Sequence, residues 1–91
     1  MPNVLKVEKR GGGVERFSSA KLESSVRKAL GYKKVEGKLA KLIVREVAKR
    51  LRKRHKIVPV PVEEIKQVTY RVMVDMDLKS VARYYLIYRY L

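Results

Sequence analysis

Two short strand-like runs joined by glycines open the chain. The first run is Val4-Leu5-Lys6-Val7-Glu8-Lys9-Arg10, the joint is Gly11-Gly12-Gly13, and the second run is Val14-Glu15-Arg16-Phe17. Apolar and polar residues roughly alternate in the first run, which is typical of a strand with one buried face. Because glycine adopts positive φ without steric cost, the glycines can form the turn of a hairpin. The sequence therefore predicts an N-terminal β-hairpin.

Helical periodicity follows the hairpin. Ser18 or Ser19 is a candidate N-cap for a first helix that Gly31 ends. A second helix is expected over residues 36–54. Apolar residues recur at helical spacing on one face of each, at Leu22, Val26, Ala29 and Leu30 in the first and at Leu39, Leu42, Ile43, Val47 and Leu51 in the second.

Prolines mark a short extended segment over residues 57–62, because each proline disfavours the α conformation in the residue before it. A strand that contains proline belongs at a sheet edge. Pro61 also suits the start of a third helix, and Asp75 and Asp77 predict a break before a fourth. The inner faces are expected at Ile65, Val68, Val72, Met73 and Met76, and then at Leu78, Val81, Ala82, Tyr85 and Leu86. The predicted fold is α+β: a small antiparallel sheet, made of the hairpin and one short edge strand, capping a bundle of about four helices in a single domain over residues 1–91.

The composition excludes several classes of protein. The chain has no cysteine, so it has no disulfide framework, thiolate metal site or thiol nucleophile. The single histidine, His55, lies between Arg54 and Lys56 and is expected on the solvated surface. No apolar run approaches the roughly 18 residues of a membrane span, and the N-terminus lacks a signal-peptide core. We therefore expect a cytoplasmic protein that is not an enzyme, with no catalytic residues, no protein-ligated metal and no membrane partner.

The net charge of +14 is concentrated on the second helix, where residues 36–56 carry nine basic and two acidic residues. The densest part falls at the C-terminal end of the helix, where cations complement the helix dipole. One interpretation is therefore a solvated helix face. The other is a phosphate-binding face for DNA or RNA over residues 38–56. Its candidate residues are Arg45, Lys49, Arg50, Arg52, Lys53 and Arg54.

A smaller basic group, Lys9, Arg10, Arg16 and Lys21, surrounds the glycine-rich turn and the start of the first helix. Free backbone amides and the positive helix end make such a place suitable for an anion, although hairpin glycines often serve only the turn. The aromatic run at residues 84–88 either packs on the bundle or stacks on a nucleobase.

Four motifs in order resemble those of the ATP-cone, a small regulatory domain. They are Val7-Glu8-Lys9-Arg10 before a glycine, Glu15-Arg16-Phe17 with Lys21-Leu22, Val60-Pro61-Val62-Glu63-Glu64-Ile65, and Val81-Ala82-Arg83-Tyr84-Tyr85-Leu86-Ile87-Tyr88-Arg89. The resemblance covers the chain from about Val4 to the last residue. Gly11-Gly12-Gly13 replaces the Asp-Gly turn of the family, and Val62 stands where some members have a hydroxyl that touches phosphate. The resemblance implies a four-helix bundle capped by a small antiparallel sheet, with ATP or dATP bound beneath the sheet and not hydrolysed.

The resemblance also implies the residues of that site. Lys9, Arg10 and Lys21 would hold phosphates. Glu15 and Phe17 would line the nucleotide, and Val7 would lie near the base. Lys66 would supply a polar contact from the third helix, and Tyr88 would form part of the wall of the base pocket. Mg²⁺ could accompany the triphosphate. In the family, the domain regulates ribonucleotide reductases or, behind a zinc ribbon, serves a bacterial repressor of their genes. There, nucleotide occupancy changes how subunits associate.

The leading expectation is thus a non-catalytic module that binds adenine nucleotide and signals through association with itself, as a homo-oligomer, or with a separate regulated protein. The alternative is a basic nucleic-acid-binding protein, such as a transcriptional regulator, that uses the Lys38–Lys56 face. A third expectation is a degenerate ATP-cone that no longer binds nucleotide and serves as a structural interaction module. The chain is either free-standing or a domain of a longer protein, and Met1 close to the first strand favours a natural start.

Overall fold

Residues 5–55 and 59–88 are described by the computed structural model, and within them three strands and four helices form. The elements are β1 (Lys6–Glu8), β2 (Val14–Arg16), α1 (Ser19–Tyr32), α2 (Leu39–Arg54), β3 (Val60–Pro61), α3 (Val62–Asp75) and α4 (Lys79–Tyr88). The α+β prediction is confirmed: a small three-stranded sheet packs with four helices around one core. Residues 57 and 58 of the predicted edge strand lie outside the described residues.

The hairpin forms as predicted, and β1 lies at the centre of the sheet order β2-β1-β3. β1 pairs antiparallel with β2, with Val7 opposite Glu15. The Lys9 N–H donates to the Gly13 carbonyl at 2.7 Å, and Gly12 turns the chain with a φ of 92°. The strand β3 occupies an edge, as expected, but it runs parallel to β1, so the sheet is mixed. The direction follows from the chain path, because α1 leaves the sheet after β2 and α2 returns to it.

The helix ends follow local chemistry. Ser18 is the N-cap of α1, since its hydroxyl accepts from the Lys21 N–H at 3.2 Å. α2 begins at Leu39 rather than near residue 36, and its start has no side-chain cap and no acidic residue in the first turn. The predicted break between α3 and α4 is present, with Asp77 at a φ of 63°.

The core lies between the four helices and the inner face of the sheet. Its members include Leu5, Val7, Leu22, Val26, Leu30, Ile43, Val47, Leu51, Val60, Val68, Val72, Met73, Val81 and Tyr85. Leu42 and Leu86, predicted to face inward, are 49% and 42% exposed, respectively. Each lies at the edge of the apolar face of its helix, and its neighbour on that face takes the buried position. None of the helices in the described ranges has the length and apolarity to cross a membrane.

Candidate functional site

A cavity of about 220 Å³ lies under the β1–β2 hairpin and reaches into the helical bundle; we call it the hairpin cavity. Its apolar wall consists of Val7, Phe17, Leu22, Val62, Ile65 and Tyr85. Its polar wall includes Glu15, Arg16, Lys21, Ser25 and Lys66. The cavity therefore offers a surface for a flat apolar group with cations at its rim.

A second cavity, of about 350 Å³, lies at the tip of the hairpin; we call it the tip cavity. It is lined by Glu8, Lys9, Arg10, Gly12, Pro61, Val62 and Glu63. Val62 lines both cavities, so they adjoin at the start of α3. The tip cavity lacks the apolar wall of the hairpin cavity and is dominated by charged side chains.

The structure brings together most of the predicted nucleotide residues. Val7, Glu15, Phe17, Lys21 and Lys66 all line the hairpin cavity, whereas Lys9 and Arg10 line the tip cavity. Tyr88 is the last residue of α4, and its side chain lies outside the described part of the chain.

Two helices begin at the sheet, and both contribute their first turns to the hairpin cavity. α1 follows β2 and presents Lys21, while α3 follows β3 directly and presents Val62 and Ile65. The first amides of a helix have no partner within the helix, and the dipole makes this end positive. The arrangement favours a negatively charged ligand near Lys21 and Lys66.

Carboxylates already hold most of the predicted phosphate contacts. Arg10 Nε donates to Glu63 Oε1 at 2.9 Å, and Lys66 Nζ lies 3.6 Å from the same oxygen. Lys9 forms an exposed ion pair with Glu15 at 3.2 Å. The hydrogen bond from Arg10 is the main reason why the pKa of Glu63 is lowered. Glu63 was not predicted, because an acid in the first turn of a helix is explained by the dipole alone.

Lys66 and Lys21 differ in their surroundings. The Lys66 side chain is only 16% exposed, and its pKa is lowered, first by loss of solvent and then by the charge of Arg10, while Glu63 acts in the opposite direction. Lys21 is exposed and has no ion pair among the described residues. An anion in the hairpin cavity would therefore meet one partly desolvated cation, Lys66, and two exposed cations, Lys21 and Arg16.

The predicted nucleic-acid residues on α2 fall into two groups. Arg50 is held by Glu46 at 3.0 Å and by Asp75 at 2.9 Å, and these acids raise its pKa. Arg54 lies 3.5 Å from Glu64. The remaining predicted residues, Arg45, Lys49, Arg52 and Lys53, are exposed and form no ion pair within the described ranges.

His55 corrects an expectation. Its side chain is 19% exposed, and Nε2 lies 2.7 Å from Glu64 Oε2, so it belongs to a contact between the end of α2 and the start of α3 rather than to the solvated surface. Sequence spacing could not show this, because the two residues meet only after the chain has passed through β3.

A third cavity, of about 380 Å³, lies beside α2 and α3 and includes Arg50, Arg54, Tyr70 and Arg71. It is larger than the hairpin cavity but suits a triphosphate less well. Its two α2 arginines lie near the negative end of that helix, and none of the described helices begins at this cavity. Within residues 5–55 and 59–88, no group of three or more histidine, cysteine or acidic side chains is placed to hold a metal ion.

Comparison with known proteins identifies the family. The model of the ATP cone domain matches residues 5–91, which is essentially the whole chain. A search of curated proteins finds no match. The ATP-cone is a regulatory, non-catalytic domain that binds ATP or dATP as an effector. This chain belongs to the ATP-cone family.

Proposed function

We propose that this domain binds one ATP or dATP, with the base and sugar in the hairpin cavity and the triphosphate across its rim towards the tip cavity. The observation that carries the proposal is the junction at Val62 of a cavity with an apolar wall and a cavity lined mainly by charged side chains, Lys9 and Arg10 among them. The hairpin cavity alone is smaller than the roughly 300–1,000 Å³ usual for small-molecule sites. A nucleotide would therefore occupy both.

Different walls of the two cavities suit different parts of the nucleotide. Val7, Phe17 and Tyr85 offer apolar surface to a base, and an aromatic ring favours stacking. Lys21 and Lys66, near two helix N-termini, would contact the first phosphates, and Lys9 and Arg10 the outer ones. A Mg²⁺ ion could enter with the triphosphate, which would supply most of its oxygen ligands.

Binding would exchange one set of ion pairs for another. Glu63 holds Arg10 and Lys66 in the structure. A triphosphate offers these cations stronger acceptors, and its charge repels the Glu63 carboxylate. Arg10 belongs to the hairpin and Glu63 to α3, so occupancy would alter the contact that holds the hairpin tip to the bundle.

That altered contact is the proposed signal. A nucleotide shifts association only by the difference in its affinity for the associated and dissociated states. A hairpin tip released from Glu63 and fixed by phosphate would present a different surface to a second copy or to a separate regulated protein. Native mass spectrometry with and without ATP measures bound nucleotide and subunit number together. If ATP is bound and neither the subunit number nor the binding of any candidate partner protein changes, the association step is wrong.

The test of the site is calorimetry with ATP and dATP on Lys9→Ala and Lys21→Ala. Each variant removes a charge-assisted contact and should weaken binding by roughly 5- to 50-fold without unfolding the domain. Lys28→Ala is the matched control, because Lys28 is an exposed lysine of α1 that lines neither cavity. Unchanged affinity in both site variants would overturn the assignment.

A further inference from the structure

A row of exposed cations follows one face of α2, and we call it the α2 stripe: Lys41, Arg45, Lys49, Arg52 and Lys53. Spacings of three and four residues place these side chains next to one another on the helix. None of them forms an ion pair within residues 5–55 and 59–88. The stripe is therefore a continuous surface of unneutralised positive charge.

Folding does not account for the stripe. Arg52 and Lys53 complement the negative end of α2, but Lys41 lies in its first turn, where the dipole disfavours a cation and no acidic residue is present. Neighbouring cations four residues apart repel each other, as Lys41 and Arg45 do. The one acid in the helix, Glu46, is occupied by Arg50. A surface that weakens the folded state in this way is suited to an anion outside the protein.

We propose that the α2 stripe binds the phosphate backbone of double-stranded nucleic acid. A duplex carries one negative charge per roughly 1.7 Å of its axis, which makes it a dense counterpart to a row of cations. From Lys41 to Lys53 the helix extends roughly 18 Å at 1.5 Å per residue, enough to follow several phosphates. A preformed helix presents these charges without having to be ordered on binding.

The composition of α2 favours a duplex over other anionic partners. The helix contains no aromatic residue on which the bases of a single strand could stack. It contains no Asn or Gln, and lysine and arginine contacts to phosphate carry no sequence information, so binding should be independent of base sequence. Binding to a membrane surface would require a band of exposed apolar residues beside the cations. Among the described residues of α2, Leu42 is the large apolar residue that is exposed, and one residue does not form such a band.

The stripe is separate from the nucleotide site, because no residue of α2 lines the hairpin cavity or the tip cavity. The two sites can therefore be tested independently of each other. Loss of one activity leaves the other proposal standing.

The experiment is fluorescence anisotropy of a labelled 20-base-pair DNA with the full chain at increasing KCl. Contacts to between three and five phosphates predict that log K falls against log salt with a slope of roughly −3 to −4.5. The variant Lys41→Gln/Arg45→Gln/Arg52→Gln should flatten this slope by about 2.7 and lower affinity at least roughly tenfold at low salt. Glutamine is a good helix former, and circular dichroism checks that the helices remain.

The matched control is Lys6→Gln/Lys28→Gln/Lys79→Gln, which removes the same charge from exposed lysines outside α2. It should keep the wild-type slope. Equal losses in both triple variants would overturn the stripe, because general net charge would then explain binding. No binding at low salt, tighter binding to the single strand, or equal competition by poly-glutamate would each overturn the duplex assignment. Equal or tighter binding of duplex RNA would support it and identify RNA as the source of phosphates.

Discussion

Glu63 is the carboxylate on which two of the proposed phosphate contacts converge. Its Oε1 accepts from Arg10 Nε at 2.9 Å and lies 3.6 Å from Lys66 Nζ. The three groups lie close to Val62, where the cavities adjoin. Glu63 thereby neutralises cations that would otherwise repel each other, and it occupies the donors that a triphosphate needs.

Glu63→Gln should therefore strengthen ATP binding, about two- to fivefold. The amide cannot neutralise Arg10, so the nucleotide no longer has to displace this exposed ion pair, and pairs of this kind contribute little. Calorimetry measures the change. Glu23→Gln is the control, since Glu23 pairs with Arg27 on α1 and lines neither cavity. Weaker binding in Glu63→Gln would contradict this account and would indicate that the carboxylate itself assists the ligand.

Single residues also mark the limit of prediction from sequence for the site. Val7, Glu15, Phe17, Lys21 and Lys66 could be named in advance from motifs, and they do line one cavity. The role of Glu63 and the contact of His55 with Glu64 could not be foreseen. Both depend on side chains of different elements meeting in the fold, and charge patterns carry no information on such pairings.

The hairpin lines both cavities, and its turn depends on one glycine. Gly12 has a φ of 92°, and its N–H donates to the Lys9 carbonyl at 2.9 Å. A methyl group added at Gly11 or Gly12 would meet no atom within 4 Å, so steric space is not the constraint. The constraint is the backbone conformation of Gly12.

Gly12→Ala should destabilise the domain by about 1–2 kcal/mol, because an L-residue is strained at this φ. Thermal unfolding followed by circular dichroism measures the loss. Gly11→Ala places the same methyl group one position earlier, without a positive φ and in equally open space, and should change stability by less than about 0.5 kcal/mol. Equal effects of the two substitutions would show that the turn is not held in this conformation in solution.

At the level of elements, periodicity predicted the helices and the hairpin because each depends on neighbours in the sequence. The parallel direction of β3 could not be predicted in this way, since it depends on α1 and α2 carrying the chain away from the sheet and back. The exposure of Leu42 likewise depends on the arrangement of the helices and not on the local sequence. A residue at the flank of an apolar face is buried or exposed according to how the neighbouring helices are placed.

Across the whole molecule, the net charge of +14 is unevenly neutralised. Around the hairpin, Lys9, Arg10 and Lys66 are paired with Glu15 and Glu63. On α2, the stripe has no such balance within the described ranges. The fold thus concentrates its electrostatic repulsion on one helix, and this has a consequence for stability.

Raising KCl from 0.05 M to 0.5 M should raise the melting temperature of the wild-type domain. The stripe contains four pairs of like charges at spacings of three or four residues. Each pair lowers the free energy of unfolding by about 0.2–0.5 kcal/mol at low salt, and screening by salt removes most of this loss. For a domain of this size about 1 kcal/mol corresponds to roughly 4–8 °C, so the expected rise is about 4 °C or more. The Lys41→Gln/Arg45→Gln/Arg52→Gln variant should melt higher than wild type at 0.05 M and respond less to salt, whereas Lys6→Gln/Lys28→Gln/Lys79→Gln should keep the larger response. A melting temperature that falls with salt in the wild type would mean that ion pairs such as Arg50 with Asp75 outweigh the repulsion along α2.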